Sequence, residues 1–381
     1  MIHTPHGQIK TPAFVPVGTA ASVKAVLPDA MAALGAQAVL ANAYHLYLRP
    51  GAEVVEAAGG VGAFMGWPGP TFTDSGGFQV MSLGVGYKKV LAMDAAGRAA
   101  ADVIAPRSAR LAKVDDDGVT FKSHLDGSSH RFTPEVSMAV QHQLGADIIF
   151  AFDECTTLLH SRDYQVLSLA RTQRWAERCL VAHGALTDQR VDQPYQGLFG
   201  VVQGAQFEDL RRQAARDLAS LDFDGFGIGG ALEKENLAQI VGWVTEELPE
   251  DKPRHLLGIS EVEDLFAAVG AGADTFDCVA PSRGARHGAI FTADGRYNVT
   301  RAAFKRDFGP LEDGCQCHTC THFSRAYLHH LLRAGEVVGL TLATIHNQFF
   351  VVHLVDAMRA AIECGTFHQL RDDFLGRYQG H

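Results

Sequence analysis

Three cysteines and one histidine near the C-terminus have the spacing of a metal site. Cys315, Cys317 and Cys320 fall within six residues, and His346 follows after twenty-five more. Three thiolates and an imidazole are the ligands of a closed tetrahedral zinc site, which leaves no coordination position for water. We therefore predict structural zinc, although such cysteines could also be reduced thiols without a metal or form a disulfide. A closed site performs no chemistry, so the catalytic residues must lie elsewhere.

Four polar side chains that follow apolar, β-rich runs are the candidate catalytic residues. Asp74 ends TFTD, Asp153 ends DIIFAFD, Gln203 follows GLFGVV, and Asp277 lies in TFDC. In barrel enzymes the reactive groups sit at the C-terminal ends of the strands. One aspartate in such a place is usually a helix N-cap. Three acids and a glutamine at one rim instead predict a shared active site.

Carboxylates that share a pocket suit chemistry at a glycosidic bond. One carboxylate can attack an anomeric carbon and form a covalent glycosyl intermediate, while another acid transfers protons. Asp and Gln side chains can also read the edge of a purine, and glycines at Ser75-Gly76-Gly77 and Gly229-Gly230 let the backbone approach a flat ligand. Phe78 could stack on that base or simply pack in the core. These features favour glycosidic chemistry at a nucleoside without naming the substrate.

The strands that carry these residues alternate with helix-like segments, which indicates a parallel sheet covered on both faces. Six to eight such units predict an α/β fold, the (β/α)8 TIM barrel, with a doubly wound open sheet as the alternative. No GxGxxG follows the first strand, which weakens a dinucleotide-binding version of that alternative. The predicted helices are 134–144, 164–183, 207–221, 237–248 and 262–271.

We divide the 381 residues into two parts. Residues 1–300 are predicted to form the catalytic barrel, with an insertion around 84–113. Residues 301–381 are predicted to form a zinc-binding subdomain with C-terminal helices packed on the barrel. A hydrophobic content of 47% is sufficient for a full core.

The charge distribution bears on the partner more than the net charge of −10 does. Between Pro281 and Gly335, eight basic side chains face four acidic ones, so that segment carries +4 and the rest of the chain −14. This segment could be a phosphate-binding face or an ordinary solvated surface. The other four cysteines are scattered, so we expect a reducing, cytoplasmic setting. We find no apolar run of about 20 residues and expect no membrane association.

Several longer motifs occur in the order found in one family. They are FTDSGGFQVMSL (Phe72 to Leu83), FKSHLDGSSH (Phe121 to His130), AFDEC (Ala151 to Cys155), GVVQG (Gly200 to Gly204), FDCVAPSRGARHG (Phe276 to Gly288) and FSRAYLHHL (Phe323 to Leu331). With the cysteine motif, they make nearly the whole chain resemble the bacterial tRNA-guanine transglycosylases. The resemblance implies exchange of the wobble guanine of tRNAs with GUN anticodons for a 7-deazaguanine, on the route to queuosine, without a nucleotide or nicotinamide cofactor.

The same resemblance implies a role for each matching residue. Asp277 would be the nucleophile that attacks the ribose, and Asp74 the general acid and base. The substrate base would be bound by Asp153, Gln203, Gly230, Phe78, Ser75, Gly76 and Cys155. Arg283 and Arg286 would bind the RNA backbone at the anticodon loop. A homodimer is also implied, and FSRAYLHHL could contribute to its contact.

The chain departs from the family pattern at three places. The family typically begins well before HTPHG, so we expect a strand pair over the barrel floor to be missing. Residues 84–113 form a longer insertion than expected, either a mobile lid or an inert loop. The family's GGLAVGE or GGLSVGE, which contacts the substituent on the incoming base, is GGALEKE here (Gly229 to Glu235). Since Cys155 matches the bacterial pattern, we expect the incoming base preQ1 (7-aminomethyl-7-deazaguanine), with queuine as the alternative.

Two other functional classes fit the sequence less well. A metal-dependent barrel hydrolase would need His-x-His at an early strand end, and the sequence has none there. A non-catalytic tRNA-binding subunit of the same family would be expected to lose the catalytic acids, whereas Asp74 and Asp277 are both present.

Overall fold

The computed structural model describes residues 1–84, 112–158, 160–230 and 234–378. Most of the insertion at 84–113 and the centre of the GGALEKE loop lie outside these residues. Fifteen strands are described: β1 (Ile2–Thr4), β2 (Gly7–Ile9), β3 (Ala13–Pro16), β4 (Val39–Ala41), β5 (Thr71–Thr73), β6 (Ala112–Asp115), β7 (Gly118–Lys122), β8 (Ser129–Phe132), β9 (Ile148–Phe150), β10 (Gly197–Val202), β11 (Gly225–Ile228), β12 (Arg254–Leu256), β13 (Thr275–Cys278), β14 (Ala289–Thr292) and β15 (Gly295–Asn298).

Fifteen α-helices accompany them within the same ranges. They are α1 (Pro28–Ala33), α2 (Ala43–Leu48), α3 (Ala52–Ala57), α4 (Val61–Met65), α5 (Gly77–Gly84), α6 (Pro134–Leu144), α7 (Arg162–Gln189), α8 (Glu208–Ala219), α9 (Leu237–Thr245), α10 (Val262–Gly270), α11 (Ala280–Ala285), α12 (His318–His322), α13 (Arg325–Ala334), α14 (Val337–Glu363) and α15 (Phe367–Tyr378).

Eight parallel strands form a closed barrel. Their spatial order is β3-β13-β12-β11-β10-β9-β5-β4, and a parallel bridge between Val17 and Leu40 joins the two ends. Taken around the ring, this is the order of the strands along the chain, as in a (β/α)8 barrel. The predicted fold class is confirmed, and the open doubly wound sheet is excluded.

Alternate residues of the barrel strands pack into two different cores. Val15, Leu40, Phe150 and Val201 belong to a cluster inside the barrel. Their strand neighbours, such as Phe14, Ile149 and Val202, belong to a larger cluster beneath the surrounding helices. Both faces of each strand are therefore buried, which explains the continuous apolar runs in the sequence.

A short hairpin covers the N-terminal end of the barrel, so the expected absence of a strand pair there is wrong. β1 and β2 pair antiparallel, with Ile2 opposite Ile9. Ile9 is buried in the barrel-interior cluster, and the His6 ring lies 2.8 Å from the carboxylate of Asp147, which precedes β9. Residues 2–9 therefore form the strand pair that the sequence analysis expected to be missing.

Two additions decorate the barrel. β6, β7 and β8 form an antiparallel sheet between β5 and β9. After β13, the hairpin β14–β15 and helices α12 and α13 enclose a separate small core that includes Ile290, Leu328 and Leu342. The boundary at residue 300 remains a prediction, because one helix, α14, belongs to both parts. Its first turns line the small core, and later residues such as Val351 and Val355 pack in the main core.

The helix α14 also meets, by length and composition, the criterion for a membrane span, which the sequence analysis did not expect. However, 67% of its apolar window is buried inside the protein. Its hydrophobicity is accounted for by packing against the barrel and the small core.

Candidate active site

Asp74 directly follows β5, and four donors surround its carboxylate. Oδ1 accepts hydrogen bonds from the backbone N–H groups of Ala43 at 2.9 Å and Gly76 at 3.2 Å. Oδ2 accepts from the side-chain amide of Asn42 and from that of Gln79 at 3.2 Å. Burial nevertheless raises the pKa of Asp74 to about 7, with a smaller contribution from the charge of Asp277. A carboxyl group that titrates near neutral pH can both give and take a proton.

Asp277 lies in β13 and its side chain is 14% exposed. Its Oδ1 accepts from the backbone N–H of Gly258 at 3.0 Å and lies 3.2 Å from Nε2 of His255. The charge of Asp277 raises the pKa of Asp74, so the two carboxyl groups lie near each other at the same end of the barrel. In the ring, β13 and β5 are separated only by β3 and β4.

Asp153 and Gln203 form a buried pair beside the opening at this end of the barrel. Gln203 Nε2 donates to Asp153 Oδ2 at 2.6 Å, and Ser75 Oγ donates to Asp153 Oδ1 at 3.3 Å. Burial raises the pKa of Asp153 to about 6, although both hydrogen bonds act in the opposite direction. Gln203 is 2% exposed, and its Oε1 has no hydrogen-bond partner among the described residues. An unpaired, buried acceptor of this kind is suited to a donor on a ligand.

The glycines after β11 are required by the same pair. A methyl group on Gly229 would lie 2.9 Å from Gln203 Nε2, and one on Gly230 would lie 2.5 Å from Gln203 Oε1. Gly230 also has a φ of +85°, which favours glycine. Its N–H interacts with the thiol of Cys155, and burial raises the pKa of that thiol well above its usual range. Cys155 is therefore a neutral thiol beside the pocket.

The turn after Asp74 closes tightly over Asp153. Gly76 has a φ of +78°, and a methyl group on Gly77 would lie 2.8 Å from the carbonyl oxygen of Asp153. Phe78 is partly buried in the first turn of α5. The structure thus brings this turn against the Asp153 side of the opening, and stacking of Phe78 on a base stays a prediction.

Arg283 and Arg286 follow Asp277 closely in the chain. Arg283 is exposed in α11, and Arg286 directly after that helix is partly buried. The charge of Arg283 lowers the pKa of Cys278, although burial of that thiol raises it more. Both arginines therefore belong to the segment beside the active-site end of β13, where a charged ligand could reach Arg283.

The predicted metal ligands lie together in the small core. One ligand atom from each of Cys315, Cys317, Cys320 and His346 lies within 4.8 Å of all the others. The three sulfur atoms are 3.8, 3.5 and 3.3 Å from His346 Nδ1. A tetrahedral zinc ion with Zn–S of about 2.3 Å and Zn–N of about 2.0 Å separates sulfur from nitrogen by about 3.5 Å. The cluster could therefore hold a metal ion.

The surroundings of His346 support this interpretation. Its Nε2 lies 2.8 Å from the carbonyl oxygen of Phe291 and donates to it. The proton on Nε2 leaves the Nδ1 lone pair directed at the three sulfurs, the tautomer that a metal ligand needs. Cys317 additionally caps α12 by accepting from the N–H of Cys320 at 3.3 Å, so the ligands are held by the fold.

Several residues of the site were not singled out from the sequence. Asn42 follows β4 and caps α2 while it donates to Asp74, so the same strand-end criterion could have found it. Arg211 gave no such signal because it lies within α8. It is fully buried and donates to the carbonyls of Val202 at 3.0 Å and Gly229 at 2.8 Å. This arginine joins the ends of β10 and β11 and so supports the Gln203 pocket.

Three relatives of this chain share the description of the family profile that it matches. Residues 1–380 match the family profile described as queuine tRNA-ribosyltransferase. A protein of that name from Pelotomaculum thermopropionicum is 45% identical over 383 residues, covering 100% of this chain and 95% of the relative. Proteins of the same name from Symbiobacterium thermophilum and Bacillus subtilis are 47% and 43% identical, each over 99% of this chain and over 87% and 91% of their own lengths.

Proposed function

Since this chain belongs to the queuine tRNA-ribosyltransferase family and is a tRNA-guanine transglycosylase, a pentosyltransferase, we propose that it replaces guanine by double displacement on Asp277. The observation that carries this proposal is the pair of carboxyl groups, Asp74 and Asp277, at one end of the barrel with the Asp153–Gln203 pair beside them. One pair would act on the glycosidic bond, and the other would bind the base. The substrate is the wobble guanosine of a tRNA with a GUN anticodon.

In the first displacement, Asp277 attacks C1′ of the ribose as the bond to guanine breaks. Positive charge builds on the sugar, and an ionised carboxylate both stabilises that charge and captures the carbon. Asp74 donates a proton to the departing guanine. Because burial raises the pKa of Asp74 to about 7, a substantial fraction of this group holds a proton at neutral pH.

In the second displacement, Asp74 takes a proton from the incoming base, whose nitrogen attacks C1′ and releases Asp277. The covalent ester preserves the ribosyl bond energy, so no nucleotide is needed to form the new bond. Water must be kept from the ester, since hydrolysis would leave abasic RNA. The target base must also leave its stack, which costs less in a single-stranded anticodon loop.

Base recognition is assigned to the Asp153 side of the opening. Guanine presents two N–H donors beside a carbonyl oxygen, and Asp153 with Gln203 presents acceptors to match the donors. The acceptor of Gln203 is its unpaired Oε1, and the backbone of Gly230, whose N–H interacts with the Cys155 thiol, would lie against the base. Ser75, Gly76 and Cys155 complete the wall, and Phe78 would stack on the base.

The RNA backbone is assigned to Arg283 and Arg286, and the structural metal to the cysteine cluster. Arginine suits phosphate because its planar fork donates two hydrogen bonds at once. Zinc bound by Cys315, Cys317, Cys320 and His346 would fix the subdomain beside these arginines. All four positions are filled by protein ligands, so the ion would take no part in the reaction.

The incoming base is proposed to be preQ1, with queuine as the second candidate. Cys155 beside Gly230 favours preQ1, whereas the name of the relatives favours queuine. The loop segment 231–233, which would meet the substituent, lies outside the described residues. Incubation of the enzyme with tRNA and both bases, followed by mass spectrometry of the nucleosides, decides between them. We expect preQ1 to be incorporated in excess, and preferential incorporation of queuine would overturn this assignment.

The same assay with labelled guanine distinguishes an enzyme from a non-catalytic subunit. We expect labelled guanine to enter the tRNA when the purified chain acts alone. Exchange that depends on a second type of chain would support the subunit alternative.

We further propose a cytoplasmic homodimer that uses the zinc-binding subdomain. Phe323 and Tyr327 stack with ring centroids 5.5 Å apart, and Tyr327 is 41% exposed. Phe308 and Val337 of the same subdomain are 81% and 66% exposed, so an interface through this subdomain would cover apolar surface. Light scattering at micromolar concentration should give twice the mass of 41.0 kDa, and a monomer would contradict the proposal.

A further inference from the structure

His255 lies inside the barrel next to the strand that carries Asp277. Its side chain is 0% exposed, and its ring centroid is 5.5 Å from that of Phe72 and 5.2 Å from that of Phe150. β12 and β13 are parallel, with His255 opposite Thr275. Since alternate residues of a strand share a face, Thr275 and Asp277 both point inward beside the imidazole.

The imidazole bridges these two residues. Nδ1 lies 2.8 Å from Oγ1 of Thr275, and Nε2 lies 3.2 Å from Oδ1 of Asp277. An ionised carboxylate can only accept hydrogen bonds, so Nε2 carries the proton between them. The Thr275 hydroxyl bonds the other nitrogen, and the phenyl rings of Phe72 and Phe150 restrict rotation of the imidazole. The donor is therefore fixed before substrate binds.

Both donors to Asp277 act on the same oxygen. Gly258 N–H and His255 Nε2–H donate to Oδ1, while Oδ2 accepts no hydrogen bond within residues 1–84, 112–158, 160–230 and 234–378. We propose that His255 is a positioning residue that anchors Oδ1 and leaves Oδ2 as the nucleophilic oxygen. This inference rests on the proposed function, because it requires Asp277 to attack the ribose.

An anchored Oδ1 and a nucleophilic Oδ2 are consistent with both displacements. An electron pair of Oδ2 forms the bond to C1′, the bond from C1′ to guanine breaks, and guanine receives its proton from Asp74. Oδ1 becomes the carbonyl oxygen of the ester and keeps its two donors. In the second displacement the nitrogen of the incoming base bonds to C1′ and gives its proton to Asp74, while the bond from C1′ to Oδ2 breaks and its electron pair returns to Oδ2. The donors on Oδ1 then stabilise the carboxylate as a leaving group.

The test compares His255→Phe with His255→Gln. Phenylalanine keeps the aromatic volume and removes the donor, whereas glutamine can place an amide N–H near the position of Nε2. We expect His255→Phe to lower kcat for guanine exchange about 10- to 100-fold. The KM for tRNA should stay within about twofold, and His255→Gln should recover most of the rate.

Thr275→Val provides a second variant if His255→Phe does not fold. It removes the hydroxyl that orients the ring and should lower kcat in the same direction with tRNA binding retained. A wild-type rate in folded His255→Phe would overturn the inference, as would equal losses in the Phe and Gln variants. Failure of wild-type enzyme to exchange labelled guanine would instead overturn the proposed function, so the two failures are distinct.

Discussion

Replacement of the partly buried acid Asp74 should make the protein more stable while it removes activity. Burial raises the pKa of Asp74 from 3.8 to about 7. Between these values the folded protein holds a proton that the unfolded chain has released, so stability falls as pH rises through this window. The penalty is absent well below pH 3.8 and complete above about pH 8. Asp74→Asn cannot ionise and should escape it.

The size of the effect follows from the shift and from the contacts. About three pKa units at 1.36 kcal/mol each correspond to about 4 kcal/mol. Asn42 and Gln79 donate to Oδ2, and an amide NH2 in that place would lose these bonds at a cost of about 1–2 kcal/mol. The net gain is about 2–3 kcal/mol. With an unfolding entropy of about 2.1 cal/mol/K per residue over 381 residues, the melting temperature should rise by about 3 °C at pH 8.

Melting curves of the wild type and Asp74→Asn between pH 4.5 and about 8.5 measure this directly. Asp251→Asn, at an exposed position, is the matched control and should show no pH-dependent difference. Guanine exchange by Asp74→Asn should fall by about 10²- to 10⁴-fold, the usual contribution of general acid–base catalysis. Equal melting temperatures of wild type and Asp74→Asn at pH 8 and pH 5 would refute a carboxyl group poised near neutrality by burial.

Three other perturbations probe the pocket, the metal site and the fold. A methyl group in Gly230→Ala would lie 2.5 Å from Gln203 Oε1, so the KM for the free base should rise at least about tenfold. The control variant Gly184→Ala, where a methyl group meets nothing within 4 Å, should have the wild-type KM. An unchanged KM in Gly230→Ala would argue against this base pocket. Metal analysis should find about one zinc per chain. Removal of the metal with a chelator should speed amide hydrogen exchange between Cys315 and His346 and weaken tRNA binding. Purified protein without zinc would contradict the assignment. Burial, together with the charges of His183 and Arg190, lowers the pKa of His142 from 6.5 to about 3. The neutral imidazole therefore contributes stability that is complete above pH 6.5 and is lost as the pH falls from 6.5 towards 3. In His142→Gln the free energy of unfolding should fall less steeply with decreasing pH, by about 1 kcal/mol per pH unit. Melting curves between pH 6.5 and 4.5 measure this, and the same pH dependence as in the wild type would contradict the prediction.

Much of the fold could be predicted because its signals are local. α6 begins at Pro134 after the N-cap Thr133 and ends before Gly145 in the left-handed region, as expected from 134–144. α7 was placed at 164–183 but runs from Arg162 to Gln189, because helix ends depend on caps and packing beyond the apolar pattern. Closure of the barrel could also be predicted, because eight buried strands with intervening helices have few other arrangements.

The missing parts depend on contacts between distant segments. The metal ligands were predicted because thiol spacing is specific, and the strand-end acids because a barrel gathers strand ends at one rim. His255 looked like an ordinary strand residue, and only pairing of β12 with β13 brings it to Asp277. Arg211 was missed for a similar reason, because a helix residue gives no sign that its guanidinium reaches the carbonyls of Val202 and Gly229.

The most direct test of the central claim is detection of the covalent RNA adduct. Enzyme mixed with an anticodon stem-loop and quenched under denaturing conditions should give a slower-migrating protein–RNA band. Peptide mapping should place the RNA on Asp277. In Asp277→Asn both the adduct and guanine exchange should disappear, with tRNA binding retained. An adduct that persists in Asp277→Asn, or one that maps to Asp74, would contradict the account.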